Sequence, residues 1–121
     1  MEESVLRIDV LGVGVDSLTP QEALERAAAL AAGERWAYAV TPNPEFLLQA
    51  KQDERFRAVL NGADPVVADG IGVVKAAKLL GRPLKAKVPG IELAEGLCSV
   101  LAGRGGKLFL LGAKPGVARA A

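Results

Sequence analysis

The sequence predicts an α/β fold, an open and largely parallel sheet with helices on both faces that is incomplete at its C-terminus. Three observations predict it. Short apolar runs of strand length alternate along the chain with segments of helical spacing, the pattern that builds a parallel sheet. The composition, 50% hydrophobic, 24% charged and 4% aromatic, is that of a globular chain with a real core. With 121 residues there is room for one domain, 1–121, at about 150 residues per domain.

The elements follow in order. Leu6 to Val15 mixes period-two alternation with β-branched residues and glycine, and reads as an opening strand or strand pair. Thr19-Pro20-Gln21-Glu22 is a capping box with proline at the first helical position, and the helix it opens runs to Gly33. Its alanines 23, 27, 28 and 31 make a thin face that lies close on a sheet. Trp36 to Val40 is of strand length and stops at Thr41-Pro42-Asn43-Pro44, where two prolines forbid a continuing ladder. Asn43 caps and Pro44 starts a helix that breaks near Asp53 and resumes to Leu60, ahead of the stop signal Asn61-Gly62.

Pro65 to Ala68 is the next strand, followed by Asp69-Gly70 and a helix from Ile71 to Leu80 that ends at Gly81. Arg82 to Pro89 is a loop with three cations, leading to a helix from about Ile91 to Ala102. After the turn Gly103 to Gly106, Lys107 to Leu111 reads as a further apolar strand, and Gly112-Ala113-Lys114-Pro115-Gly116 leads into a last short helix. Such a layout is Rossmann-like, and function is expected at the C-terminal ends of the strands: Thr41 to Glu45, Asp69-Gly70 and Gly112 to Gly116.

Composition narrows the chemistry. Fifteen Lys plus Arg against 14 Asp plus Glu leave a net charge of +1, which offers no broad footprint for nucleic acid. The chain has no histidine and one cysteine, Cys98, so an intrachain disulfide, a His/Cys zinc site and a histidine base are excluded. Catalysis must run on carboxylates, hydroxyls, amides or cations. The start is acidic and soon alternating, unlike a signal peptide, and no apolar stretch approaches a bilayer span, which suggests the cytoplasm.

Each motif admits a structural and a functional reading. Gly12-Val13-Gly14-Val15-Asp16-Ser17 nearly spells a dinucleotide fingerprint, but the capped helix starts only after Thr19. A glycine-kinked strand open to close approach by a neighbouring backbone is the better reading, and a nicotinamide-dependent dehydrogenase stays a distant third. Asp69 caps the following helix or projects a carboxylate that takes a proton from a substrate hydroxyl, and the two readings can hold together. Thr41 and Asn43 sit in a proline-stiffened loop, which is either a rigid turn or a holder of side chains that bond sugar hydroxyls. Gly112 to Gly116 is an ordinary βα turn or a phosphate cradle. Arg82, Lys85 and Lys87 are a solvated loop or a diphosphate clamp, and Cys98 is expected in the core.

Four ordered blocks, Thr41-Pro42-Asn43-Pro44-Glu45, Ala68 to Val74, Pro89-Gly90-Ile91-Glu92-Leu93 and Leu110 to Val117, together resemble the WecG/TagA/CpsF glycosyltransferases, glycosyltransferase family 26. The resemblance covers essentially the whole chain. It implies inverting, metal-independent transfer of N-acetylmannosamine or a related sugar from a UDP-sugar to undecaprenyl-diphosphate-linked N-acetylglucosamine, in teichoic acid or surface polysaccharide synthesis. No cofactor is implied beyond the UDP-sugar as donor substrate.

By the same resemblance Asp69 is the catalytic base, with Thr41 beside it. Asn43, Gly70 and Lys87 bind substrate, Lys87 standing where many members are expected to have arginine, and Gly112, Ala113, Lys114 and Gly116 bind the nucleotide. Family members continue past this length to a C-terminal part that supplies arginines and docks on the inner membrane face. This chain therefore reads as the N-terminal, acceptor-base half. The alternative is a non-catalytic binding or oligomerisation module, possible as a homo-oligomer.

Overall fold

The computed structural model describes residues 5–121, and its architecture is mixed α/β: six helices around one antiparallel strand pair. β1 (Arg7–Val10) and β2 (Val13–Asp16) pair with Val10 opposite Val13, which leaves Leu11 and Gly12 as a two-residue loop. Both loop residues have positive φ, 54° and 91°, as the turn that matches strand twist requires. The opening strand pair is thus borne out. Gly14 serves a side chain rather than a neighbouring backbone: a Cβ there would stand 2.6 Å from Arg7 Cδ, so its absence lets Arg7 lie across β2.

α1 (Pro20–Ala32) carries the expected capping box, with Thr19 Oγ1 accepting from the Glu22 amide and Glu22 Oε1 accepting from the Thr19 amide. α2 (Pro44–Gln52) is capped by Asn43, and the break at Asp53 is real, since that carboxylate caps α3 (Glu54–Asn61). α4 (Ile71–Leu79), α5 (Gly90–Gly103) and α6 (Val117–Ala120) complete the helices. Among the described residues no helix is long and apolar enough to cross a membrane.

The stretches expected as parallel strands, Trp36 to Val40 and Pro65 to Ala68, meet in a single parallel bridge, Val40 to Val66. Asp64 N bonds to Tyr38 O, Val40 N to Pro65 O, Val67 N to Val40 O and Asp69 N to Pro42 O. Pro42 and Pro65 have no N–H to give, so the ladder cannot lengthen, and no full parallel sheet forms among the described residues. Lys107 to Leu111 forms no strand either. Its backbone meets no ladder partner and its side chains are exposed.

The Pro65 to Ala68 stretch still organises the core. Val66 and Ala68 belong to one apolar cluster with β1, β2, Leu47, Leu60 and Val73, while Val67 belongs to a second with Ala23, Ala27, Val88 and Leu93. That alternation puts α2, α3 and α4 on one side of the stretch and α1 and α5 on the other. Asp16, 5% exposed, ties the hairpin to it. Its carboxylate accepts from Arg7 Nε and Nη2 at 2.8 and 3.0 Å and from the Val66 amide at 2.8 Å. Arg7 also donates to the carbonyls of Asn61 and Ala63.

Cys98 is exposed rather than in the core. α5 buries Leu93 and half-buries Leu97, and the next residue, one-third of a turn on, falls outside that stripe.

Candidate active site

Three segments end at one place. The parallel pairing of Tyr38 to Pro42 with Asp64 to Asp69 brings the C-terminal ends of both, Thr41 and Asp69, to the same side of the molecule. The third segment arrives through Val88, whose amide bonds to Ala68 O at 2.6 Å, so that Pro89 and the first turn of α5 lie against Asp69. Gly90 N donates to Asp69 Oδ2 at 3.3 Å. This amide is one of the orphan donors at the start of a 14-residue helix, whose positive end suits a carboxylate.

Gly90 is the pivot of the arrangement. A Cβ on it would lie 2.9 Å from Thr41 Oγ1 and 3.2 Å from Asp69 Oδ2, so the hydroxyl and the carboxylate face the same point in space. Asp69 is half-buried. It does not cap α4: the N-cap is Gly70, at φ 109° and ψ 153°, with no side-chain cap bond. Glycine takes that backbone without Cβ strain, and the carboxylate turns to Gly90 instead. Asp69 Oδ1 and Thr41 Oγ1 carry no bond among the described residues, so one can accept a proton and the other can donate to a ligand oxygen.

Asn43 stands two residues beyond Thr41. Its Oδ1 is spent on the Phe46 amide at 3.1 Å, and its Nδ2 group remains available to donate. Pro44 then meets α4 so closely that a Cβ on Gly72 would sit 2.5 Å from Pro44 Cγ. The structure therefore brings together Thr41, Asn43, Asp69 and Gly70, four of the residues singled out in the sequence.

It leaves the others apart. Lys87 is exposed and forms no ion pair among the described residues, and of its loop neighbours Lys85 pairs with Glu22 at 3.1 Å. Gly112, Ala113, Lys114 and Gly116 are all exposed, and a Cβ on Gly112 or Gly116 would meet nothing within 4 Å. The phosphate-cradle reading gains no contact in this arrangement. Gly90 was not singled out as a site residue; the motif Pro89-Gly90 before a helix was the signal that could have found it.

A separate concavity lies elsewhere. A groove of about 420 Å³ is lined by Ala27 and Leu30 of α1, Leu97 of α5, and Trp36, Ala37 and Pro65. These last three lie at the N-terminal ends of the two paired stretches, away from Thr41 and Asp69.

The family model described as glycosyl transferase WecG/TagA/CpsF family matches residues 8–121. Among curated proteins, the N-acetylglucosaminyldiphosphoundecaprenol N-acetyl-beta-D-mannosaminyltransferases of Staphylococcus aureus strains NCTC 8325, COL and MRSA252 are each 36% identical over 117 residues. The match covers 95% of this chain and 46% of each relative, so the chain spans about half the length of the curated relatives it matches.

Proposed function

Because the chain belongs to the WecG/TagA/CpsF glycosyltransferase family, we propose that it carries the acceptor-base half of an inverting glycosyltransferase. The donor is a UDP-sugar, UDP-N-acetylmannosamine or a relative. The acceptor is undecaprenyl-diphosphate-linked N-acetylglucosamine, in keeping with the relatives' names. The product feeds teichoic acid or surface polysaccharide synthesis, with the protein cytoplasmic and peripheral on the inner membrane face. The finished sheet of the whole protein is open and largely parallel.

The observation that carries the reading is the convergence of Thr41 Oγ1 and Asp69 Oδ2 beside Gly90. Asp69 takes the proton of the acceptor hydroxyl as that oxygen attacks the anomeric carbon, and the bond from that carbon to the UDP oxygen breaks on the opposite face. The Gly90 amide holds one carboxylate oxygen, which leaves the other to meet the proton. Thr41 and the Asn43 amide group orient the sugar hydroxyls, and Gly70 lets the backbone approach them closely. The departing diphosphate needs positive potential, which Lys87, Lys114 and the amides of Gly112, Ala113 and Gly116 supply without a metal.

The test is transfer from UDP-N-acetylmannosamine to a short-chain prenyl-diphosphate N-acetylglucosamine, by the protein and by Asp69→Asn. Loss of transfer with UDP binding retained is the expected result; transfer that persists in Asp69→Asn removes the base from the reading. A second reading, a non-catalytic binding or oligomerisation module, is favoured by the exposed Leu108, Phe109 and Leu111. It predicts a stable oligomer without turnover, and a monodisperse monomer counts against it.

A further inference from the structure

Between Asp69 and Glu92 the chain has no acidic residue, and the same stretch holds Lys75, Lys78, Arg82, Lys85 and Lys87. The whole chain is only +1, so the remainder is net acidic and the positive charge is gathered here. All five cations are exposed. Among the described residues only Lys85 of the five forms an ion pair, with Glu22. Two leucines stand among them, Leu79 at 89% exposure and Leu80 at 49%.

The fold holds this face rigidly. α4 buries Val73 and Ala77. At about 100° per residue, Lys75 and Leu79 lie two positions and about 200° further round, on the side turned from the core. The helix then ends in a Schellman turn: Gly81, at φ 76°, donates its amide to Lys78 O, and the Arg82 amide donates to Ala77 O, both at 3.0 Å. Arg82 is thereby pinned at the end of α4, and Leu84, part of the core, anchors the loop beyond it.

Leucines exposed amid cations mark an interaction surface, and a nucleic acid duplex would ask for the cations alone. A second copy of the face would set like charges against like. We infer that the outer face of α4, with the loop to Lys87, docks on an anionic lipid surface. Leu79 and Leu80 enter the boundary between head groups and acyl chains, and Lys75, Lys78 and Arg82 meet the lipid phosphates. This contact belongs to the half that carries Asp69, and is separate from the C-terminal part to which the family resemblance assigns membrane docking. It deepens the proposed function and rests on that reading for its purpose, an acceptor held in lipid. α4 begins beside Asp69 and is about 13 Å long, which sets the greatest height to which the acceptor sugar rises from the surface to the base. Vesicle binding involves no transfer, so failure of the docking and failure of Asp69 as base are separate results.

Sedimentation of the 121-residue chain with lipid vesicles decides it. Partition onto phosphatidylcholine vesicles holding about one-third phosphatidylglycerol should exceed that onto phosphatidylcholine alone by about tenfold or more. The excess should vanish in about 1 M salt, where charges are screened within about 3 Å. Leu79→Gln, and Lys75→Gln with Lys78→Gln, should each weaken binding to the anionic vesicles by about fivefold or more. Glutamine keeps the helix propensity and these side chains are exposed, so the unfolding midpoint should hold. Equal partition onto the two kinds of vesicle overturns the inference. So does anionic binding that neither replacement weakens, which would give the contact to another exposed segment. Self-association without vesicles that Leu79→Gln abolishes also overturns it, since the face would then belong to a second copy.

Discussion

The amide of Gly90 donates to Asp69 Oδ2 at 3.3 Å, and Thr41 Oγ1 faces the same bare Cα. Three segments far apart in sequence are thereby locked at one point. Gly90→Ala tests what that point is for. Alanine at the first position of α5 favours the helix by about 1 kcal/mol. Its methyl would press on the Thr41 hydroxyl, which can rotate aside, and on Asp69 Oδ2 and Thr41 Cβ at 3.2 and 3.3 Å, which need give only a few tenths of an ångström, so the unfolding midpoint should move by no more than the equivalent of about 1 kcal/mol. Transfer should fall at least about tenfold, because the Thr41 hydroxyl is turned from the acceptor and the Asp69 carboxylate is displaced. Unchanged transfer would show that the point is structural.

Asp16 is the clamp on the other side of the core. It is nearly buried, accepts from two guanidinium nitrogens of Arg7 and from the Val66 amide, and has no role in the proposed chemistry. Asp16→Asn keeps the shape but replaces a buried carboxylate that accepts from three donors by an amide with one accepting oxygen, and should cost about 2 kcal/mol. Urea unfolding checks it: the midpoint falls while the slope holds. A loss under about 1 kcal/mol would mean that the Arg7 bonds to Asn61 and Ala63 carry the link unaided.

Glu22 sets an acid limit for α1. The Thr19 amide bond and then the Lys85 ammonium hold its carboxyl below the ordinary value. A depressed folded-state value contributes stability that is present above about pH 4.3, the ordinary value, and is lost as pH falls through the lower one. Thermal unfolding of the unaltered chain and of Glu22→Gln should therefore differ at neutral pH and converge below about pH 4. The difference at neutral pH is small, since Glu22 is well solvated. Curves that stay parallel into acid would place the effect in the cap geometry rather than in the charge.

The helices were legible because their signals are local. Thr19, Asn43 and Asp53 each announce a helix start by a side chain that bonds an amide two or three residues on, and Asn61-Gly62 announces a stop. The strands were legible as apolar runs but not as a sheet, because pairing depends on partners distant in sequence and on the amides that Pro42 and Pro65 lack. Asp69 shows the same limit at the site. Its place before a helix suggested a cap, whereas the reversal at Gly70 sends it to an amide 21 residues later. The Arg7 to Asp16 pair was not legible, since two charges in alternating strands look solvent-facing until the hairpin register sets them opposite one another.

Gly72 carries the last prediction, because it decides how closely α4 can approach the Thr41 to Glu45 loop. An added Cβ would stand 2.5 Å from Pro44 Cγ and 3.6 Å from its Cδ. Alanine is worth about 1 kcal/mol to a helix over glycine. Overpacking against a rigid ring costs about 1 to 3 kcal/mol. The clash is with a pyrrolidine that cannot rotate aside, so the cost should win, and Gly72→Ala should lower stability by about 1 kcal/mol. Moving Pro44 also moves Asn43 and Thr41, so transfer should fall further than the stability loss accounts for. Chemical denaturation paired with the transfer assay separates the two, and a stabilised, fully active Gly72→Ala would show that the loop has room to give.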